Sequence, residues 1–344
     1  MVWRLGIVSG GLVLVLWWSP LVGQQPPPLQ PDQARPVQTL GGLDGPGFAL
    51  AYSEAQGILV AGCEDGRLLY WRKPVILGVR TGDSPSHILH GHHGPVTALA
   101  WGSGPLLASA GADRQILLWS VADGAVKATL TGHTGIIRTL ALAPDGKTLA
   151  SAGDDRAVHL WDVTAGKLLR KLDGHTDWVA ALAFSPDGKQ LASGGYDQTV
   201  RVWTVADGQK VREFASKPEK PPGPDNHVLA LAFSPDGKQL AVGGTDTQVR
   251  VFNVADGAHV RASPGHGSSI TALAYHPGNT LLISASKDRT VRLWNAANGQ
   301  AIKTLEGHQS WVTGLVLINE NTMIASISAD QTVRLWDLKP PPKP

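Results

Sequence analysis

Residues Gly174 to Trp203 read G-H-T-D-W-V-A-A-L-A-F-S-P-D-G-K-Q-L-A-S-G-G-Y-D-Q-T-V-R-V-W. Most of the remaining chain repeats this unit, which has a period of about forty residues. The residue closing each copy is Trp71, Trp119, Trp161, Trp203, Phe252 in place of Trp, Trp294 and Trp336. Four of the six spacings are 42 residues, and the other two are 48 and 49. Seven copies are therefore present.

G-H stands at Gly91-His92, Gly132-His133, Gly174-His175, Gly265-His266 and Gly307-His308. The closing pair is Trp-Asp at Trp161-Asp162 and Trp336-Asp337, and a variant of it at Trp119-Ser120, Trp203-Thr204 and Trp294-Asn295. At this period the motifs read as propeller blades of four strands. On these residues the chain resembles the WD-repeat β-propeller family, from about Pro36 to Leu338. The resemblance implies an all-β fold: a closed seven-bladed propeller of four-stranded antiparallel blades.

Composition agrees with one large all-β domain. Forty glycines and 24 prolines suit many short strands joined by tight turns. A net charge of +2 supplies no electrostatic footprint for nucleic acid. Cys63 is the single cysteine, so an intramolecular disulfide is impossible and stability must come from packing.

In residues 1–23, Arg4 precedes an apolar run from Leu5 to Trp18, the anatomy of a signal peptide or, uncleaved, a membrane anchor. This predicts an exported protein, periplasmic or extracellular, that meets a membrane only if the segment is retained. Residues 24–35 are Pro/Gln-rich and predict an extended linker, residues 36–338 the propeller, and 339–344 a Pro-rich tail. Pro36 to Leu40 (P-V-Q-T-L) matches Ala301 to Leu305 (A-I-K-T-L), an outermost strand. Because the last unit ends soon after its third strand, at Asp337, the N-terminal stretch is expected to complete that blade and close the ring.

Five units carry His, Ser, Asp and Trp in fixed phase: His92-Ser109-Asp113-Trp119, His133-Ser151-Asp155-Trp161, His175-Ser193-Asp197-Trp203, His266-Ser284-Asp288-Trp294 and His308-Ser326-Asp330-Trp336. Ser, His and Asp together invite a hydrolase reading. A catalytic site needs one copy in a pocket, whereas five copies in phase describe a scaffold. The family resemblance implies a buried network in which His links Ser to Asp and Ser accepts the Trp indole N–H. Two units depart from the pattern. The first has Leu43 for His and Ala61 for Ser, and the fifth has Val242 for Ser, Phe252 for Trp and no G-H. Asp246 keeps its place there without its usual partner, and apolar packing in a looser blade is expected.

The resemblance also implies a binding face where each innermost strand begins and the second and third strands join. The positions three and five after the G-H His, and the one before the tetrad Asp, then point outward. These include Arg138, Asp154, Trp178, Tyr196, His227, Lys287 and Trp311, together with Thr97, Thr271 and Thr313. Among twelve tryptophans, only Trp178 and Trp311 lack a role in the core or the leader. Aromatics beside Arg, Tyr and His have the composition of interface hot spots, although both could simply cover neighbouring loops. His87, His90, His92 and His93 resemble a metal cluster, but His92 belongs to a tetrad and no carboxylate or thiolate completes a shell.

The leading expectation is a non-catalytic scaffold that binds a protein or peptide on this face. It would be a monomeric ring without cofactor, metal or nucleic acid. The alternatives are a propeller enzyme with a site in the central channel, and a structural subunit of an envelope assembly.

Overall fold

A computed structural model describes residues 33–34, 36–72, 84–102, 104–216 and 226–338. The leader, most of the linker, the tail and most of both insertions (74–83 and 217–224) lie outside the described residues.

The fourth unit shows how the sequence makes a blade. Its strands run Val179–Phe184, Gln190–Gly195, Thr199–Thr204 and Lys210–Ala215, each antiparallel to the next. Alternating small and large apolar residues let the first strand pack on both faces. S-P-D-G-K then reverses the chain: Ser185 Oγ donates to Asp187 Oδ1 at 2.6 Å and accepts the Gln190 N–H at 2.9 Å. Gly188 takes the left-handed conformation this turn requires, at φ 69°. Ser234, Asp236 and Gln239 repeat the same bonds one blade later.

Seven such sheets make up the propeller. Every innermost strand packs on that of the next blade, and the last, Val312–Ile318, packs on the first, Gly47–Ser53. The core lies between blades as seven apolar layers, each shared by two neighbours. Trp336, for instance, packs with Ile283 and Leu293 of the blade before it, while Trp71 packs with Ile327 and Leu335 of the last blade. Burying one closing Trp removes on the order of 200 Å² from water, an upper bound of about 5 kcal/mol.

Closure uses the N-terminal residues as expected. Gln38–Leu40 pairs antiparallel with Val333–Asp337 in the register Gln38↔Leu335 and Leu40↔Val333, and Leu40 is fully buried. The linker differs from a bare spacer at one point. Gln33–Ala34 adds a fifth, parallel strand to the exposed edge of the sixth blade, on Ala301–Leu305.

The register between first and second strands shifts at the same place in all seven blades, as between Val96 and Ala98 or Ile270 and Ala272. The skipped residue is the one five after the G-H His: Thr97, Arg138, Ala180, Thr271 or Thr313. Such bulges re-aim a side chain, and here they turn these residues toward the seam between blades and the channel.

Candidate binding face

The blade ends position the side chains of the face. The second strand of the fourth blade ends at Gly195, where a Cβ would lie 2.1 Å from the Trp178 carbonyl oxygen. Glycine permits this approach, and the next amide, Tyr196 N–H, donates to that same carbonyl at 2.8 Å. Trp178 and Tyr196 are thereby held side by side, their rings 5.2 Å apart and inclined at 60°. His227 of the fifth blade stacks on the other side of Tyr196, at 4.3 Å and 26°. Arg138 of the third blade lays its guanidinium over Trp178, 4.5 Å from the ring centroid. Asp154 accepts from Arg138 Nε and, at 3.0 Å, from its Nη2. Asp154, Arg138, Trp178, Tyr196 and His227 thus form one continuous half-buried row across three blades.

The remaining two residues of the predicted face meet elsewhere on it. Lys287 Nζ sits 4.7 Å above the Trp311 ring. Both are half-buried, and burial lowers the ammonium pKa.

The three threonines of the predicted face have a different role. Thr97 Oγ1 donates to the Ile137 carbonyl, Thr271 Oγ1 to Val312 O at 2.6 Å, and Thr313 Oγ1 to Gly47 O at 2.6 Å. Each ties its blade to the next, so these positions are seams of the ring and do not face outward. They line, with Arg138 and small aliphatic residues, a central channel of about 220 Å³. Neither a carboxylate nor an imidazole is among the described residues lining it.

Beneath the face, the five tetrads share one geometry. His175 Nδ1 lies 2.8 Å from Asp197 Oδ2, and His175 Nε2 lies 2.7 Å from Ser193 Oγ, which also accepts the Trp203 indole N–H at 2.8 Å. The other four sets match it within a tenth or two of an ångström: His92-Ser109-Asp113-Trp119, His133-Ser151-Asp155-Trp161, His266-Ser284-Asp288-Trp294 and His308-Ser326-Asp330-Trp336. Burial alone would raise the Asp155 and Asp197 carboxyls, but the His hydrogen bond and charge outweigh it and hold both at about 2.

In the fifth blade the isolated Asp246 expected from sequence is corrected. Arg250 Nε donates to Asp246 Oδ2 at 2.7 Å, with Arg250 buried beneath it. The apolar part of the expectation holds, since Phe252 packs against Phe214 at 4.9 Å. In the first blade Arg67 pairs with Asp65 and Asp44.

The Arg250 position is Arg in four blades, Leu in the first two (Leu69 and Leu117) and His159 in the third. His159 is buried and stacks on His133 at 4.0 Å and 19°. His133, Asp155 and His159 bring three ligand atoms within 4.8 Å of one another, a grouping the sequence reading missed. It makes a poor metal site as it stands: both nitrogens of His133 are engaged, and the in-plane lone pairs of parallel rings do not converge. In the H-I-L-H-G-H-H stretch, His87 stacks on Tyr70 at 4.7 Å, His92 serves its tetrad, and His90 and His93 are exposed.

Residues 107–336 match the family described as nucleolar protein 10-like, N-terminal domain, and residues 83–120 match the WD domain, G-beta repeat. A stretch of 55 residues is 36% identical to protein Notchless of Drosophila melanogaster, covering 16% of this chain and 11% of that protein's length. These matches overturn the expected export, because they point to a nucleolar setting and not to a periplasmic or extracellular one. An apolar run behind a single arginine is a feature of composition and does not by itself fix a compartment. The run lies outside the described residues, and no described helix is long and apolar enough to cross a membrane.

Proposed function

The chain belongs to the nucleolar protein 10-like N-terminal domain family of WD-repeat propellers, and from that premise we propose that it is a scaffold docking a protein partner on the face bearing Trp178, Tyr196, His227, Arg138 and Asp154, with Lys287 and Trp311 across the channel. WD-repeat propellers are in general protein-interaction scaffolds and not catalysts. The observation that carries the choice of face is the continuous row from Asp154 to His227. It places three half-buried rings and a stacked guanidinium together at the rim, on rigid strand ends. Such a surface loses little side-chain entropy on binding, and aromatic and Arg anchors dominate interface energetics.

The test is quantitative capture of partners by the intact chain and by the Trp178→Ala, Trp311→Ala double variant. The proposal expects the double variant to lose those partners while its melting temperature stays close to the parent's. Unchanged capture by a folded double variant would overturn it.

A further inference from the structure

The face holds two cation-on-tryptophan pairs, each joining one blade to the next. They differ in one respect. Arg138 over Trp178 carries its own counter-ion, because Asp154 accepts two hydrogen bonds from the guanidinium. Lys287 occupies in its blade the position that Asp154 occupies in the third, immediately before the tetrad aspartate. Its ammonium lies over Trp311 with no ion-pair partner among the described residues.

The nearest carboxylate in sequence is fully committed. Asp288 Oδ2 accepts from His266 Nδ1 at 2.7 Å and Gly267 N–H at 2.9 Å, while its Oδ1 accepts from Thr290 N–H at 3.0 Å and Thr290 Oγ1 at 2.7 Å. Arg289, next along, is exposed in the left-handed conformation (φ 74°) and also has no ion-pair partner among the described residues. One half-buried cation over an indole face is therefore presented without an anion among the described residues. The internal pair shows what such a site accommodates on this surface: a carboxylate beside the cation, with the ring beneath.

We propose that Lys287, held over Trp311, binds a carboxylate side chain from an acidic segment of the partner. The inference rests on the docking face proposed above and assigns the chemistry of its second half. An ammonium whose pKa is lowered by burial regains it when a carboxylate arrives, so binding and charging of Lys287 reinforce each other. A peptide carboxylate fits better than a nucleic-acid backbone. The chain carries a net charge of only +2, and Asp154 already neutralises Arg138.

The test is fluorescence anisotropy on the whole chain with labelled hexaglutamate, against hexaglutamine and a six-nucleotide oligouridylate. Hexaglutamate is expected to bind, hexaglutamine not. Lys287→Gln should weaken binding roughly tenfold, as expected for one charge-assisted contact, with Lys287→Arg within about twofold of the parent. Lys189→Gln, at an exposed lysine of the S-P-D-G-K turn, should change little. The inference is overturned if hexaglutamate fails to bind, binds Lys287→Gln equally, or binds less tightly than oligouridylate. Loss of partner capture in the Trp178→Ala, Trp311→Ala variant is a separate readout, so the docking face and its acid preference can fail independently.

Discussion

Thr313 Oγ1 donates to the carbonyl of Gly47 at 2.6 Å, which joins the last blade to the first across 266 residues of chain. The same hydroxyl lies 3.2 Å from Ile327 O of its own second strand. Thr271 repeats this bridge, at 2.6 Å to Val312 O and 3.2 Å to Ala285 O. Thr313→Val keeps the shape and removes the hydroxyl's single donor bond. We expect a loss of about 1 kcal/mol and a melting temperature lower by roughly 2 °C. The Thr271→Val change should add to it nearly independently in chemical denaturation. A double variant as stable as the parent would show that the seams contribute nothing.

The serine of each tetrad accepts one indole N–H and contacts one imidazole. Ser193→Ala should therefore strand both Trp203 and His175 and destabilise by about 1–3 kcal/mol. The fifth blade shows the compatible alternative, Val242 with Phe252, both buried. Adding Trp203→Phe to Ser193→Ala should cost less than the sum of the two single changes. A strictly additive double-mutant cycle would contradict this coupling.

Asp246 has one arginine and a long backbone bond from Gln248 N–H at 3.4 Å, whereas Asp288 has a histidine, two backbone N–H groups and a threonine. Arg250→Met should therefore destabilise by about 3 kcal/mol, since it leaves a carboxylate without its counter-ion. Arg292→Met, the same change one blade later, should cost markedly less. Urea midpoints of the two variants decide it, and equal losses would mean that Arg250 acts mainly by packing.

His159 makes the third blade sensitive to acid. Burial, then the neighbouring His133, lower its pKa to about 4 from 6.5. The folded state thus holds the neutral ring while the unfolded chain takes up a proton. The stability cost begins as pH falls below 6.5 and is complete below 4, on the order of 3 kcal/mol. Asp155 and Asp197 act in a lower window. Their folded pKa values, about 2 against 3.8, mean that their contribution is full above 3.8 and is lost as pH falls through 2. His159→Leu, which copies Leu117 of the second blade, should lessen the fall in melting temperature below pH 6.5, with the buried His308, also lowered, contributing the remainder, and leave the lower transition in place. An unaltered profile would show that the stacked pair is not the acid-sensitive element.

Blade number, ring closure by Gln38–Leu40 and the grouping of the tetrads were legible because each is a repeated pattern, and repetition fixes phase. What stayed hidden depends on relationships that a linear motif does not display. The bulge at Thr97, Thr271 and Thr313 turns those side chains by one register step, from the face into the seam. The rescue of Asp246 by Arg250 did leave a trace, since an arginine four residues after the tetrad aspartate recurs at Arg201, Arg292 and Arg334. His159 was visible only as a departure from that arginine. Trp178 and Trp311 could be singled out by elimination, but their pairing with Arg138 and Lys287 needed coordinates, because each pair spans two blades.

Site-specific photo-crosslinking tests the docking face most directly. A photoreactive residue replaces Tyr196 in one protein and Asp207 in another. Asp207 lies in the turn between the third and outermost strands of the same blade, at its opposite end. Partner adducts should form from position 196 and not from position 207. Adducts that form equally from both, or from 207 alone, would contradict a scaffold that works through the face of Trp178.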